Sequence, residues 1–214
     1  VLFDEETFQI VDRYDLQTQS NSEKDSLMNI VDSSCTEIGW SLATGTLNGL
    51  NSASDSLEPS VIILGTGILK NNDTFKNETG RILVFQIGES NRLRLISSND
   101  VKGGVRVVSI CKGNVIGCVR GLNVVYKWDY QVEKKLIKAS SSGGHIDGTC
   151  IDSLDNILCI GDSLTSVSFC HLNKDTLKIS EIARDFQDNY ISALKLVNHS
   201  SAIAADLTGN LLVY

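Results

Sequence analysis

The fold is decided by residues 157–172, which read Ile157-Leu-Cys-Ile-Gly-Asp162, then Ser-Leu-Thr-Ser, then Val167-Ser-Phe-Cys-His-Leu172. Two short runs rich in apolar and β-branched residues flank a connection of four residues, most of them hydroxylic. Runs of this length and composition predict β-strands, and the short connection between them predicts an antiparallel hairpin.

The same hairpin recurs along the chain. The second strands of the four hairpins have Ile82, Val124, Val167 and Leu211 at equivalent places. Successive residues of this set lie 42, 43 and 44 positions apart. Further apolar segments precede and follow these hairpins, so each unit has four short strands. A four-stranded unit of about 40–45 residues is typical of a β-propeller blade, whereas a β-sandwich, the rival, has no reason to repeat at this interval. The paired runs are Val61–Gly65 with Arg81–Phe85, Val115–Cys118 with Val124–Trp128, Ile157–Asp162 with Val167–Leu172, and Ala202–Asp206 with Leu211–Tyr214; the preceding segments are Val105–Ile110, Ile146–Ile151 and Ile191–Val197, and the following ones include Leu93–Ile96 and Leu177–Ile179.

We therefore predict an all-β chain of WD-repeat-like blades, each with four antiparallel strands. A length of 214 residues supplies about four to five blades of this size. The whole chain, residues 1–214, is interpreted as most of one seven-bladed propeller that is incomplete in this sequence. Mobile loops are expected near residues 17–25, 43–60 and 66–80, where serine, asparagine and glycine are frequent.

Composition excludes several classes of function. The net charge is −7, and because nucleic-acid binding needs a cationic field, the chain is a poor primary DNA or RNA binder. No apolar run approaches the roughly 20 residues of a membrane helix. The cysteines are dispersed without C-x-x-C or paired zinc spacing, which predicts buried free thiols in a reducing compartment.

Catalytic and metal motifs are absent from the sequence. His145 follows a Ser/Gly run but no G-x-S-x-G, so we interpret this stretch as an inter-blade loop. His171 and His199 have no partner at metal-ligand spacing. Asp162 and Asp206 close equivalent strands of two units, which favours turn capping over acid/base catalysis. We predict no enzyme activity, no catalytic residue, no metal and no cofactor.

Binding residues are expected on the loops between strands. The segment Ile182–Tyr190 carries a cation, acids and two aromatic side chains. One interpretation is a local Arg–Asp pair within this segment, with Phe186 and Tyr190 as packing residues. The other is a set of interface anchors, since Arg and Tyr are favoured at binding hot spots.

Several strings resemble one protein family over nearly the whole chain. They are Val101-Lys-Gly-Gly-Val105, Gly80-Arg-Ile-Leu-Val-Phe-Gln86, Gly161-Asp-Ser-Leu-Thr-Ser-Val167 and Glu181-Ile-Ala-Arg-Asp-Phe186. The family contains the large subunits of the UV-damaged-DNA-binding complex and of the cleavage and polyadenylation specificity factor, together with a splicing-factor propeller subunit. The first and last strings look most like the damaged-DNA-binding branch, which is the cullin adaptor, and the Ser/Asn-rich loops look fungal.

The resemblance implies most blades of the third propeller in a protein of three propellers and a C-terminal helical domain. It also implies a scaffold, in which one propeller holds a cullin and a cleft grips a helix of a WD-repeat substrate receptor. Where the adaptor has larger apolar side chains or an arginine, this sequence has Asp147, Thr149, Cys150 and Thr165, which implies a specialised receptor preference. The partner-binding positions carried over from the family are Asp100, Gly104, Asp147, Thr149, Cys150, Thr165, Arg184 and Tyr190.

Two functions follow from this resemblance. The first is an adaptor of a cullin–RING ubiquitin ligase in DNA repair, replication or heterochromatin silencing, with cullin and WD-repeat receptors as partners. The second is a scaffold subunit in splicing or mRNA 3′-end processing. In both cases the implied location is the nucleus, with the cytoplasm as a second compartment, nucleic acid is contacted only through the complex, and no membrane is involved.

Overall fold

The computed structural model describes residues 1–4, 6–7, 9–16, 35–50, 60–70, 79–88, 92–130 and 134–214. The ordered elements in these ranges are all β-strands. No helix long and apolar enough to cross a bilayer occurs in the described part of the chain. The strands are β1 (Leu2–Phe3), β2 (Ile10–Asp12), β3 (Cys35–Thr46), β4 (Ser60–Lys70), β5 (Gly80–Ile87), β6 (Leu93–Val101), β7 (Val105–Cys111), β8 (Asn114–Val119), β9 (Leu122–Asp129), β10 (Lys135–Ser142), β11 (Gly148–Leu154), β12 (Ile157–Asp162), β13 (Val167–Leu172), β14 (Ile179–Arg184), β15 (Ile191–Asn198), β16 (Ser201–Asp206) and β17 (Leu211–Val213).

The strands form four successive antiparallel sheets. β3–β6, β7–β10 and β11–β14 are four-stranded and keep the order of the sequence, and β15–β17 add a sheet of three strands. β1 and β2 pair as a separate hairpin. The predicted propeller architecture is confirmed, with four blades, and the predicted hairpins are the second and third strands of each blade.

The apolar core lies between the blades. The second strands β8 and β12 are buried along almost their whole length, because neighbouring blades cover both of their faces. Val105 and Val119 pack with Ile82 of the first blade, whereas Ile116 packs with Leu158 of the third. Stacking of blades therefore buries apolar side chains that a single sheet would leave exposed to water.

Each blade has two ends, which we name by their connections. At the mouth face lie the links between blades and the loops from second to third strands, since Val105 pairs with Val119 and Gly148 with Asp162. At the base face lie the turns from first to second strands, such as Lys112-Gly113. Both residues of that turn have positive φ, 47° and 71°, which a tight two-residue hairpin turn requires.

The first strand of every blade contains a β-bulge near the mouth face. The pairing with the second strand shifts between Gly39 and Ser41, between Val105 and Val107, between Gly148 and Cys150, and between Ile191 and Ala193. A bulge leaves one residue out of the ladder and redirects its side chain. The residues concerned are Trp40, Arg106, Thr149 and Ser192.

Two features differ from the sequence-based boundaries. β3 was not predicted, although Ile38, Trp40 and Leu42 alternate in the manner of a strand. Residues 43–46 belong to β3, and β4 continues to Lys70, into ranges expected as loops. Residues 17–25, 51–59 and 71–78 of the predicted mobile loops lie outside the described residues.

The cysteines whose side chains the structure describes are free thiols. Cys111, Cys118, Cys150, Cys159 and Cys170 are free, as predicted, and all but Cys150 are buried. Burial raises the pKa of the Cys111 and Cys170 thiols to about 11, which keeps them protonated and unreactive near neutral pH.

Candidate protein-interaction surface

The predicted partner-binding residues lie at the mouth face. They occupy blade links, the ends of outer strands, the starts of first strands or the β12–β13 loop, and this holds for Asp100, Gly104, Asp147, Thr149, Cys150, Thr165, Arg184 and Tyr190. Positions that are up to 90 residues apart in sequence are thus carried to one end of the propeller, because each blade begins at the same end.

The mouth face contains a depression of about 350 Å³. Its lining consists of Trp40, Arg106, Asp147, Gly148, Thr149, Tyr190, Ser192 and Leu207. All four bulge residues belong to this set, so the bulges aim one side chain from each first strand into a common space. Of the predicted site residues, the structure brings Asp147, Thr149 and Tyr190 together here.

Arg106 contacts both Trp40 and Asp147 in the depression. The guanidinium carbon of Arg106 lies 4.3 Å from the centroid of the Trp40 ring, within cation–π range. Nε of Arg106 lies 3.5 Å from Oδ1 of Asp147. Trp40 in turn covers Gly67 of β4, where a Cβ atom would collide with the indole ring. Burial raises the pKa of Asp147, assisted by Asp162, and Arg106 offsets part of this rise.

Arg184 lies outside this depression and is already paired. Its Nε lies 3.1 Å and 3.2 Å from the two carboxylate oxygens of Glu181, and Nη2 lies 2.5 Å from Oε2. Its side chain is only 13% exposed. The expected local Arg–Asp pair is wrong, because Glu181 is the partner of Arg184, and Asp185 accepts a hydrogen bond from Ser166 Oγ (2.7 Å).

The remaining predicted residues take structural positions around the depression. Cys150 packs against Ile191 in the core between the third and fourth blades. Gly104 is buried, Asp100 is exposed opposite Arg81 in the β5–β6 ladder, and the hydroxyl of Thr165 is buried without a hydrogen-bond partner among the described residues.

Asp162 caps the turn that its sequence position predicted. Its Oδ1 accepts from the backbone N–H groups of Leu164 and Thr165 (2.9 and 3.0 Å), and its Oδ2 accepts from those of Ile146 and Asp147 (both 2.8 Å). Burial alone would raise the pKa of this carboxyl, yet the four donors hold it below its usual value. The predicted capping role is confirmed, and the cap also fixes the link that carries Asp147.

Asp206 repeats this arrangement in the fourth blade. It accepts hydrogen bonds from the backbone N–H groups of Thr208 and Asn210, at 2.9 and 2.8 Å. Together with side-chain donors of the same residues, these bonds lower the pKa of Asp206 to about 2.

His145 bridges the second and third blades. Asn123 accepts from Cys118 Sγ through Oδ1 (2.8 Å), so its Nδ2 donates to His145 Nδ1 (2.7 Å). The proton of the ring therefore sits on Nε2 and is donated to Ser168 Oγ (2.6 Å). A ring nitrogen that carries a proton cannot take one from serine, and Ser168 is only 1% exposed. This Ser–His contact is consequently a structural bridge.

Several large apolar side chains on loops of the mouth face are exposed, and two of them, Tyr190 and Leu207, line the depression. Phe186 is 90% exposed, so within this chain it is not a packing residue, and Leu207 and Tyr190 at the rim are 65% and 43% exposed. Ile146 and Leu164 on neighbouring loops are also exposed. Clustered exposed apolar residues beside a concave site are typical of a protein-interaction surface.

We find no candidate metal site among the residues that the structure describes. Among those residues, no group of three or more His, Cys, Asp or Glu side chains could hold a metal ion.

Comparison with known proteins identifies the family. The family model of the CPSF A subunit region matches residues 1–214, the whole chain. The chain belongs to this family. The resemblance drawn from the sequence strings is thereby confirmed.

Several curated plant proteins are similar to this chain. DNA damage-binding protein 1a of Arabidopsis thaliana is 29% identical over 135 residues, which is 62% of this chain and 12% of that protein. DNA damage-binding protein 1 of Oryza sativa subsp. japonica is 28% identical over 134 residues, with the same shares. DNA damage-binding protein 1 of Solanum lycopersicum is 27% identical over 135 residues, again with 62% and 12%. The matched region is thus about 12% of the length of these relatives.

Sequence reasoning missed Trp40, Arg106, Ser192 and Leu207 as members of the depression. Arg106, Thr149 and Ser192 are separated by 43 residues each, which is the blade period. That spacing was a usable signal, since equivalent positions of successive blades lie side by side around the propeller axis.

Proposed function

We propose that this chain belongs to a protein-interaction scaffold and that its mouth face docks a segment of a partner protein. One observation carries the proposal, namely that four bulge residues and the exposed loop residues Tyr190 and Leu207 line a single depression. The lining includes Trp40, Arg106 and Tyr190, and tryptophan, arginine and tyrosine are the residue types enriched at interaction hot spots.

The specific function that we propose is an adaptor of a cullin–RING ubiquitin ligase. The family match and relatives named DNA damage-binding proteins support this choice. The docked segment would be a helix of a WD-repeat substrate receptor, and the pathway would be DNA repair, replication or heterochromatin silencing in the nucleus. The net charge of −7 favours contact with nucleic acid through other subunits of the complex.

Within this proposal, Tyr190 and Leu207 pack against the apolar side of the docked helix. Arg184 remains a predicted contact, and it would have to share its guanidinium between Glu181 and the partner. Asp147 and Thr149 replace bulky apolar residues with small polar ones, which leaves room in the depression for a partner side chain.

Affinity purification of the full-length protein followed by quantitative mass spectrometry tests the proposal. The variant Tyr190→Ala plus Leu207→Ala should reduce recovery of receptors by about tenfold or more, because truncated anchors at an interface cost about 2 kcal/mol each. Cullin, held by another propeller, should be recovered unchanged. The matched control is Tyr130→Ala plus Leu154→Ala, which removes similar side chains from the base face.

Equal loss of receptors in both double variants, or no loss in either, would contradict the proposed docking face. Absence of cullin from the wild-type purification would contradict the ligase assignment.

A second candidate function is a scaffold in RNA processing. The family model is named after the A subunit of the cleavage and polyadenylation specificity factor, and this favours splicing or 3′-end processing partners as the alternative. The same purification separates the two, since recovery of processing subunits without cullin would select the alternative.

A further inference from the structure

Three arginines at the mouth face differ in how their donors are used. Arg81 reaches both carboxylate oxygens of Glu37, with Nε at 2.9 Å from Oε1 and a second contact from Nη2 to Oε2. Arg184 is similarly engaged by Glu181. Each of these guanidinium groups already has a carboxylate of its own chain in a two-oxygen arrangement.

Arg106 has no such arrangement. Its contact with Asp147 runs from Nε at 3.5 Å, longer than the roughly 2.7–3.2 Å of a good N–H···O hydrogen bond. The ring of Trp40 supports the face of its guanidinium at 4.3 Å and holds it flat in the depression. A guanidinium that is oriented by stacking and weakly paired can still receive a planar anion through its terminal nitrogens.

We propose that Arg106, stacked on Trp40, receives the carboxylate of an aspartate or glutamate side chain in the docked partner segment. The inference rests on the proposed docking function and specifies its chemistry. Tyr190 and Leu207 stand at the rim of the same depression. The partner segment therefore presents one acidic side chain next to apolar ones, and the acid sits at the centre of the contact.

A side-chain carboxylate suits this site better than the phosphates of a nucleic acid. The depression offers one weakly paired guanidinium, and Asp147 lies beside it, 40% exposed. A nucleic-acid strand would bring a row of negative charges towards a chain of net charge −7. A single carboxylate makes a two-point contact with Arg106 and brings one negative charge towards Asp147, where a nucleic-acid strand would bring a row of them.

Display selection against the immobilised full-length protein tests the inference. The probe is a library of random internal peptides about 15 residues long, roughly four helical turns. Peptides that lose binding on Tyr190→Ala define the docking site. We expect them to share one Asp or Glu at a fixed position among apolar residues.

A double-mutant cycle then measures the contact. Replacing the shared acid by its amide, or Arg106→Gln, should each weaken binding about tenfold or more, and the two changes together should add little further loss. Arg94→Gln, which removes an exposed charge from β6 away from the mouth face, is the matched control and should leave affinity unchanged. The variant Arg106→Glu should instead bind the peptide in which lysine replaces the acid.

Three results would overturn the inference. The first is a set of Tyr190-dependent peptides with no shared acid and no response to Arg106→Gln, in which case the docking face stands and the carboxylate site does not. The second is binding of a single-stranded oligonucleotide that is lost in Arg106→Gln and competes with the peptides. The third is recovery of no Tyr190-dependent peptide, which would also remove the proposed docking face.

Discussion

The two faces of the propeller use their polar groups differently. On the base face, a hollow of about 470 Å³ contains Asn48, Lys112 and Asn114. The side-chain amides of Asn48 and Asn114 donate to the carbonyl of Lys112, at 2.7 and 3.1 Å. On the mouth face, the smaller depression holds a guanidinium with only a long contact to its nearest carboxylate.

Asp155 is a further polar group of the base face that is used within the chain, because it connects three blades. Its carboxylate binds Lys112 Nζ of the second blade (2.5 Å) and His199 Nε2 of the fourth (2.9 Å). Its backbone carbonyl accepts from Cys111 Sγ (3.1 Å). These base-face groups hold blades to each other, whereas Arg106 makes only a long contact with Asp147, and Tyr190 and Leu207 of the mouth face are exposed. The difference teaches that the mouth face, where a guanidinium lies in a depression without a close carboxylate, is the end to search for function.

The largest expected effect comes from the cap that shapes the mouth face. Asp162→Ala would leave four backbone N–H groups without their acceptor, so we expect the free energy of unfolding to fall by about 4 kcal/mol. Asp162→Asn should restore part of this loss, since one oxygen remains. Urea denaturation measures the change, with the exposed Asp188→Ala on the same face as the control. A loss equal to that of the control would show that the cap does not support the mouth face.

The next prediction compares two arginines of the mouth face. Arg81→Gln leaves Glu37, whose side chain is 9% exposed, without its cation and should cost about 3 kcal/mol. Arg106→Gln breaks a long pair whose side chains are 37% and 40% exposed, and should cost less than about 1 kcal/mol. Equal losses of unfolding free energy in the two variants, measured by denaturation, would mean that Arg106 has a structural role like that of Arg81.

A smaller effect is expected from the bridge at His145. Burial lowers its pKa, Arg184 lowers it further, and Asp162 and Glu181 oppose this. The His145 imidazole therefore binds a proton more readily in the unfolded chain than in the folded one. The free energy of unfolding decreases as pH falls below about 6.5, by at most about 1.4 kcal/mol per pH unit. The slope should be shallower in His145→Gln, measured by denaturation between about pH 5 and pH 8. An identical slope in both proteins would contradict the assigned bridge.

The smallest effect belongs to the exposed ion pairs of the base face. Lys112 and His199 lower the pKa of Asp155 to about 2, so the folded state gains stability that is present above about pH 4 and is lost as pH falls towards 2. Asp155→Asn should have a slightly lower melting temperature than the wild type at neutral pH and low salt. The difference should vanish near pH 2 and shrink at high salt. A difference that persists in both conditions would contradict the electrostatic origin.

Local sequence patterns were sufficient to predict most strands of the blades and the turns between them. Alternation and turn residues place a strand wherever a hairpin is regular, as in β12 and β13. β3 was missed because it does not follow the repeat interval, since Trp40 lies 66 residues before Arg106 whereas Arg106, Thr149 and Ser192 are 43 residues apart. Turn capping by Asp162 was predictable, because the donors Leu164 and Thr165 follow it within three residues.

The residues that line the mouth-face depression were predictable only in part. Asp147, Thr149 and Tyr190 followed from the family pattern and do line the depression. Arg184 followed from the same pattern, but its pairing with Glu181 depends on the strand geometry of β14. Trp40 and Arg106 are 66 residues apart and meet only when two blades stack.

The sequence by itself determined the repeat, the all-β architecture, the capped turns and the unpaired thiols, because each depends on residues close together in the chain or on a regular interval between them. The tertiary structure alone decided which side chains share the mouth. A β-bulge exists only in the pairing of two strands, and around the propeller axis four such bulges turn Trp40, Arg106, Thr149 and Ser192 towards one another.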